Sequence, residues 1–258
     1  MTNDEDYLNV LLNAIRVCRL YKPHFGVGRE MSLQDFEAVY SNDVFYSWFG
    51  LNTAEVYRAH RLAGGITSLY RQIGVGCERL MQTIVCDTLS LSAEQIVWSY
   101  TVPTPDGKNR RISLDAKISL DDVKDSTKRE SLQKWMEAAV GMAPAVSRLS
   151  GVVFEVRQGY KSKDSKRQQA DLLSAANAYA EGLLPVLFLL SNQIDEDIER
   201  RYRAARWHIL RGVLHGSSTE STYVFCNEVL GYNLADFFNR YSDTLRTEIL
   251  SIIRDLLT

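Results

Sequence analysis

The chain has 258 residues, of which 45% are apolar and 24% are charged, and these values are typical of a globular protein with a buried core. Its net charge of −2 does not indicate a nucleic-acid-binding protein, although a nuclease needs only a local basic surface. The dispersed cysteines and histidines argue against a disulfide framework and against structural zinc. The acidic first residues lack the basic region of a signal peptide, and the longest apolar run, 182–190, is too short to span a bilayer. We therefore expect a soluble, intracellular protein without a membrane segment.

Helical periodicity dominates the first part of the chain. Apolar residues repeat at helical spacing over residues 5–20, and short helices joined by loops are predicted over 32–40 and 53–63. A strongly amphipathic helix begins at Gly76 and contains Glu78.

The middle of the chain has the patterns of β-strands. Residues 96–102 and 111–120 are predicted to form a hairpin, with Asp115 in the middle of its second strand. The elements predicted after this hairpin are a helix over 131–140, a strand over 151–157, a helix over 166–181, a strand over 184–190, and helices over 194–210 and 234–257.

Residues 151–171 concentrate acids and cations. Glu155 interrupts the apolar run of a buried strand, and a lone buried carboxylate is costly unless it is paired or bound to a metal. Arg157 lies two residues further along, and therefore on the same face of the strand. The cations that follow are Lys161, Lys163, Lys166 and Arg167. They suit contact with a phosphate-rich partner, although a basic run is also typical of a solvated loop.

Asp115 supplies a second carboxylate, because its strand is predicted to lie beside the strand of Glu155. Two carboxylates on neighbouring strands can converge on one Mg²⁺ ion, which takes oxygen ligands and activates water for phosphodiester hydrolysis. Glu78 and Asp171, which lie on the adjacent helices, are secondary candidates for metal ligands. The alternative is that these acids form structural salt bridges or face water.

The order helix, strand, strand with Asp115, strand with Glu155, helix, strand is similar to the PD-(D/E)xK nuclease core. The segment 154–171, together with 193–203 and 207–212, resembles the ApaLI-like type II restriction endonucleases. The resemblance implies a Mg²⁺-dependent enzyme that hydrolyses both strands of double-stranded DNA at a short palindrome, with GTGCAC as the default target. It further implies a homodimer in the cytoplasm of a prokaryote.

The resemblance also implies roles for individual residues. Asp115 and Glu155 take the positions of the two metal-binding acids, and Arg157 takes the position that is normally lysine. Because arginine stays protonated, either Arg157 acts electrostatically or Lys161 reaches back into the site. The residues expected to contact DNA are Lys161, Lys163, Lys166 and Arg167. A looser similarity to the CCGG-specific enzymes would make Asp171 an additional ligand.

A rival assignment uses Asp106, Asp115 and Lys117, which spell the motif literally. The Asp106-Gly107 pair is ordinary hairpin-turn chemistry, however, and this assignment leaves Glu155 without a role. The alternatives to a restriction enzyme are a structure-selective repair or recombination nuclease and a non-catalytic DNA-binding protein.

The sequence therefore predicts an α/β protein with a PD-(D/E)xK restriction-endonuclease-like core, in which helices flank a central mixed β-sheet, and with additional N- and C-terminal helices. We interpret residues 1–258 as a single endonuclease domain. Its predicted parts are a helical N-terminal extension over 1–75, a catalytic core over 76–190 and a helical C-terminal part over 191–258.

Overall fold

The computed structural model describes residues 4–25, 29–104, 107–141, 149–159 and 165–257, and for 165–169 it describes the backbone alone. The chain divides into two compact units, which comprise Met1–Asp4 with Cys77–Asn239 and Glu5–Gly76 with Arg240–Thr258. Two compact units can belong to one domain, so the predicted organisation of residues 1–258 stays a prediction.

In the described part of the first unit, six strands form two sheets. Strands β1 (Trp98–Pro103) and β2 (Asn109–Leu114) form an antiparallel hairpin. The second sheet has the order β3-β4-β5-β6, in which β3 is antiparallel to β4 and the remaining strands are parallel. These strands are β3 (Ala116–Ser119), β4 (Gly151–Arg157), β5 (Leu183–Leu189) and β6 (His208–Leu210). The chain is thus an α/β protein with a mixed four-stranded sheet flanked by helices.

The helices fall before, between and after these strands. In chain order they are α1 (Asp4–Arg16), a 3₁₀ turn (Val17–Leu20), α2 (Leu33–Ser41), α3 (Val44–Trp48), α4 (Ala54–Leu89), α5 (Ser126–Val140), α6 (Ser165–Ala180), α7 (Glu196–Ala204), α8 (Thr222–Phe225), a π-helical turn (Cys226–Leu230) and α9 (Leu234–Leu257). Helix α6 joins the parallel strands β4 and β5, as a parallel pair requires a crossover connection. No helix in the described residues combines the length and the apolar character that crossing a membrane requires.

Both faces of the four-stranded sheet are apolar. On one face an aromatic cluster joins Phe154 and Phe188 to Phe225 and Trp135. The other face is covered by α6 and by the β1–β2 hairpin, through buried side chains that include Val153, Leu187, Ala175, Ala178, Trp98 and Tyr100. Because both faces are covered, β4 and β5 are almost continuously apolar, and Glu155 is the exception.

The second unit is helical and has two apolar clusters. One joins α1, α4 and α9, and it includes Leu12, Leu69 and Leu256. The other is aromatic and lies around Phe36 and Tyr57.

Three predicted elements differ from the structure. Helix α4 runs without interruption over Ala54–Leu89, although we predicted a helix over 53–63, a loop, and a second helix from Gly76. The predicted strand 111–120 is divided at Asp115, so β2 and β3 belong to different sheets. The predicted helix 194–210 ends at Ala204, because residues 208–210 pair with β5 as an edge strand.

Candidate active site at the end of β4

Glu155 and Arg157 lie on the same face of β4, near its carboxyl end. The Arg157 Nη2 atom forms an ion pair with Glu155 Oε1. Only 6% of the Glu155 side chain and 15% of the Arg157 side chain are exposed. A carboxylate buried to this degree needs a cation or several hydrogen-bond donors, and Arg157 supplies the cation.

Asp171 brings a second carboxylate to the same guanidinium group. It lies on α6, its side chain is 8% exposed, and its Oδ2 atom is 3.6 Å from Arg157 Nη2. The hydroxyl of Tyr202, on α7, donates a hydrogen bond to the same Oδ2 atom. Arg157 therefore lies between one acid from the strand and one from the crossover helix.

Asp115 lies between β2 and β3, and both its backbone and its side chain contact β4. Its backbone N–H donates to Phe154 O at 2.9 Å, and its Oδ2 atom accepts a hydrogen bond from the backbone N–H of Val156 at 2.7 Å. The β3–β4 register ends at the pair of Ala116 and Phe154, so Asp115 lies one residue before β3. The carboxylate of Asp115 thus takes the place of a backbone acceptor, which is why the strand can break there.

Helix α4 contacts this region from the other side of Asp115. Gln82 Nε2 donates to the Asp115 carbonyl oxygen at 2.7 Å. Glu78 precedes Gln82 by one helical turn and is half-buried, so both side chains lie on one face of α4. Glu78 stays a predicted secondary ligand.

The structure does not bring every candidate into the cluster. Lys117 of the rival assignment lies on β3 opposite Val153, whereas Asp106 lies outside the described residues. Lys161 and Lys163 also lie outside them. Lys166 and Arg167 belong to the first turn of α6, but only their backbone is described.

Tyr202 and Gln82 are the residues of this region that the sequence analysis missed. Tyr202 follows Ile198 by four residues on α7, and both are buried, so helical periodicity could have indicated a core position. A buried tyrosine hydroxyl needs a hydrogen-bond partner, and this need is the only signal that points to Asp171. Gln82 has no comparable signal, because its role depends on the path of the chain at Asp115.

The arginine-rich segment after α6 is occupied by ion pairs. Arg200 pairs with Asp197, and Arg203 and Arg211 both pair with Glu199. Burial raises the pKa of Glu199, but the hydrogen bonds from Arg211 and Arg203 outweigh burial and hold that pKa below its usual value. These three arginines are therefore engaged with acids of α7, and Arg200 and Arg203 form salt bridges within that helix.

The donor chemistry of the site suits Mg²⁺, which is bound in proteins by one or two carboxylates together with water and substrate phosphate oxygens. Asp115 and Glu155 are the two carboxylates that the sequence predicted as ligands. Among the described residues, no group of three or more histidine, cysteine, aspartate and glutamate side chains is arranged as a metal site. A metal held by these two acids would need water and substrate oxygens as its remaining ligands.

No family model matches this chain, and neither a curated protein nor a solved structure shows significant similarity to it.

Proposed function

We propose that this protein is a Mg²⁺-dependent endonuclease that hydrolyses double-stranded DNA, with a PD-(D/E)xK core and the site specificity of a type II restriction enzyme. One observation carries the proposal: the Asp115 carboxylate accepts a hydrogen bond from the backbone N–H of Val156, the residue after Glu155, and Arg157 forms an ion pair with Glu155. The cation-rich segment 161–167 follows directly in the sequence. Acids and cations on one strand-loop-helix unit are what metal-assisted phosphodiester hydrolysis requires.

In this proposal Asp115 and Glu155 hold the metal. When bound, Mg²⁺ polarises the scissile phosphate and lowers the pKa of the attacking water. Val156 N–H fixes one oxygen of Asp115, which orients that carboxylate before substrate arrives. Glu155 is oriented in the same way by Arg157.

Arg157 serves as a fixed positive charge. A guanidinium group stays protonated at every pH of interest, so it offsets negative charge on the phosphate but does not donate a proton to the leaving group. Lys161 is the candidate for a second cation, and Lys163, Lys166 and Arg167 are proposed to contact the DNA backbone or base edges. Glu78 and Asp171 are proposed as acids that support the metal site.

The competing interpretation is that the cluster of Glu155, Arg157 and Asp171 is a structural ion-pair network. Both interpretations predict lower stability when one partner is removed. Only the nuclease proposal predicts that conservative substitutions of Asp115 and Glu155 abolish a magnesium-dependent activity while the fold persists.

The test is digestion of plasmid DNA and of a linear DNA of known sequence with the full chain, in the presence of Mg²⁺ and in EDTA. We expect discrete fragments with Mg²⁺ and none in EDTA. Asp115→Asn and Glu155→Gln should each lower the rate by at least about 100-fold. The matched control is Asp121→Asn, because Asp121 is an exposed acid six residues after Asp115, and it should cut at the wild-type rate.

Mapping the fragment ends tests the specificity that we propose. Ends at one palindrome support a restriction enzyme, and GTGCAC is the first sequence to examine. Cleavage limited to junctions or flaps would instead assign a structure-selective nuclease. DNA binding without cleavage by any divalent ion, unchanged in both acid variants, would refute the nuclease proposal. Sedimentation with and without the DNA site tests the proposed homodimer.

A further inference from the structure

The helical unit contains a cleft of about 670 Å³, and four of its lining residues are cations. Ligand-binding clefts in proteins usually have volumes of about 300–1,000 Å³. The residues that line the cleft come from the segment after α1, from α2 and its N-cap, and from the first half of α4. The cations are Arg19, Lys22, Arg58 and Arg61, and the acid among the described lining residues is Glu30.

Arg19 differs from the other three cations because its charge is already offset. Its Nη2 atom is 2.7 Å from Glu248 Oε1, and its Nη1 atom pairs with Asp255. Arg19 therefore forms a fixed wall of the cleft, held by two acids of α9.

Lys22, Arg58 and Arg61 form no ion pair with any acid in the described part of the chain. The acid nearest to Arg58 in sequence on α4 is Glu55. The pKa of Glu55 is lowered by hydrogen bonds with its own backbone N–H and with Thr53, and further by the charge of Arg58, but Glu55 and Arg58 form no ion pair.

Arg61 is the most informative of these cations. Its side chain is half-buried, and its Nε atom is buried without a hydrogen-bond partner among the described residues. A buried guanidinium N–H without an acceptor is costly, so this position favours a ligand that supplies oxygen acceptors.

Two of the neutral polar groups of the cleft are already engaged. The Tyr57 hydroxyl donates to Met31 O at 3.0 Å. Ser32 caps α2, accepting from Asp35 N at 3.1 Å and donating through Oγ to Asp35 Oδ2 at 2.7 Å. Among the described lining residues, three cations without an ion-pair partner outnumber the acid Glu30, and this positive charge favours an anion over a neutral sugar or peptide.

We infer that this cleft is a second ligand site that binds a phosphate group through Lys22, Arg58 and Arg61. Guanidinium groups bind phosphate oxygens through two parallel N–H···O bonds, and a lysine ammonium adds a point charge. The phosphate can belong to a nucleic-acid strand or to a small phosphorylated molecule. The inference does not depend on the proposed nuclease activity, because it uses none of the residues at the end of β4.

In the first test, the full chain is titrated with inorganic phosphate at constant ionic strength, and calorimetry measures the binding. The variants are Arg58→Gln and Arg61→Gln. The matched control is Arg71→Gln, because Arg71 is an exposed arginine on the same helix, about 20 Å further along its axis than Arg58, and does not line the cleft. We expect saturable binding to the wild-type chain and to Arg71→Gln, and about tenfold weaker binding to each cleft variant.

A second probe distinguishes the two sources of phosphate. A fluorescently labelled DNA duplex is titrated in EDTA, which prevents cleavage, at several salt concentrations. If the cleft binds a backbone phosphate, each cleft variant should reduce the slope of log K against log salt concentration by about 0.9. If the cleft binds a small phosphorylated molecule, the cleft variants should lose phosphate binding and keep the wild-type slope.

Arg58 is exposed, so Arg58→Gln should fold as the wild type does, and circular dichroism checks this. The inference is overturned if the wild-type chain shows no saturable phosphate binding. It is equally overturned if Arg58→Gln and Arg61→Gln bind phosphate as Arg71→Gln does. Asp115→Asn should bind phosphate normally, so failure of the nuclease proposal would leave this result unchanged.

Discussion

Replacing Arg157 with methionine removes the cation that contacts Glu155 and Asp171. The side chains of these acids are 6% and 8% exposed, so water replaces little of the lost interaction. Breaking a buried ion pair by removing one partner destabilises a protein by about 3–5 kcal/mol. Arg157 itself is 15% exposed, and we therefore expect a loss near the lower end, about 3 kcal/mol.

This loss of unfolding free energy is measured by urea unfolding in EDTA, with circular dichroism as the signal. The matched control is Arg200→Met, because Arg200 is 73% exposed and pairs with Asp197 within one turn of α7. An exposed pair of this kind contributes about 0.5 kcal/mol or less. If Arg157→Met were no less stable than Arg200→Met, the buried ion-pair network would not exist as described.

Two further measurements separate the network from a metal site. Adding Glu155→Gln to Arg157→Met should recover part of the lost stability, because the buried carboxylate that lost its ion pair with Arg157 is then gone. Mg²⁺ should raise the unfolding midpoint of the wild type more than that of this double variant, since a ligand that binds only the folded state stabilises it. Equal shifts in the two proteins would argue against metal binding by these acids.

Two other predictions concern packing and protonation. In α4, a Cβ atom at Gly65 would lie 2.6 Å from both methyl groups of Leu256, whereas one at Gly74 would meet nothing within 4 Å. We expect Gly65→Ala to lower the free energy of unfolding by about 1–3 kcal/mol. We expect Gly74→Ala to raise it by about 0.5–1 kcal/mol. Equal urea midpoints for the two variants would contradict the packing described. Burial lowers the pKa of His208, so the folded state favours the neutral ring. The stability that His208 contributes should therefore be present above about pH 6.5 and be lost as the pH falls below it. The difference in unfolding free energy between the wild type and His208→Gln should therefore change between pH 8 and pH 5, and a constant difference would refute this account.

The elements that the sequence predicted well are those whose pattern is local. The strands β4 and β5 are apolar except for Glu155 and Arg157 of β4, so their pattern indicates a sheet that is covered on both faces. Position 155 could be identified as unusual for the same reason, since one carboxylate in such a strand requires a partner. The same-face relation of Glu155 and Arg157 follows from the two-residue period of any strand.

The errors occur where tertiary contacts decided the local structure. We predicted a loop after residue 63, yet α4 continues through Gly64 and Gly65, where the missing side chains permit close packing. A Cβ atom at Gly64 would lie 2.0 Å from the Tyr21 hydroxyl, and one at Gly65 would meet Leu256. Residues 208–210 are too few to show a strand pattern, and they become β6 only because the edge of β5 is available for pairing.

The sequence by itself determined the type of the main elements and placed an acid and an arginine on one face of a buried strand, because both properties depend only on residues that are close together in the chain. Only the tertiary structure decided that Asp171 joins Arg157 and that Tyr202 joins Asp171. It also decided that Asp115 leaves the hairpin to accept a hydrogen bond from Val156 N–H. Those contacts join residues 14 to 41 positions apart, and no local pattern specifies them. They arise because buried carboxylates and backbone N–H groups must find partners once the sheet and its crossover helix have packed.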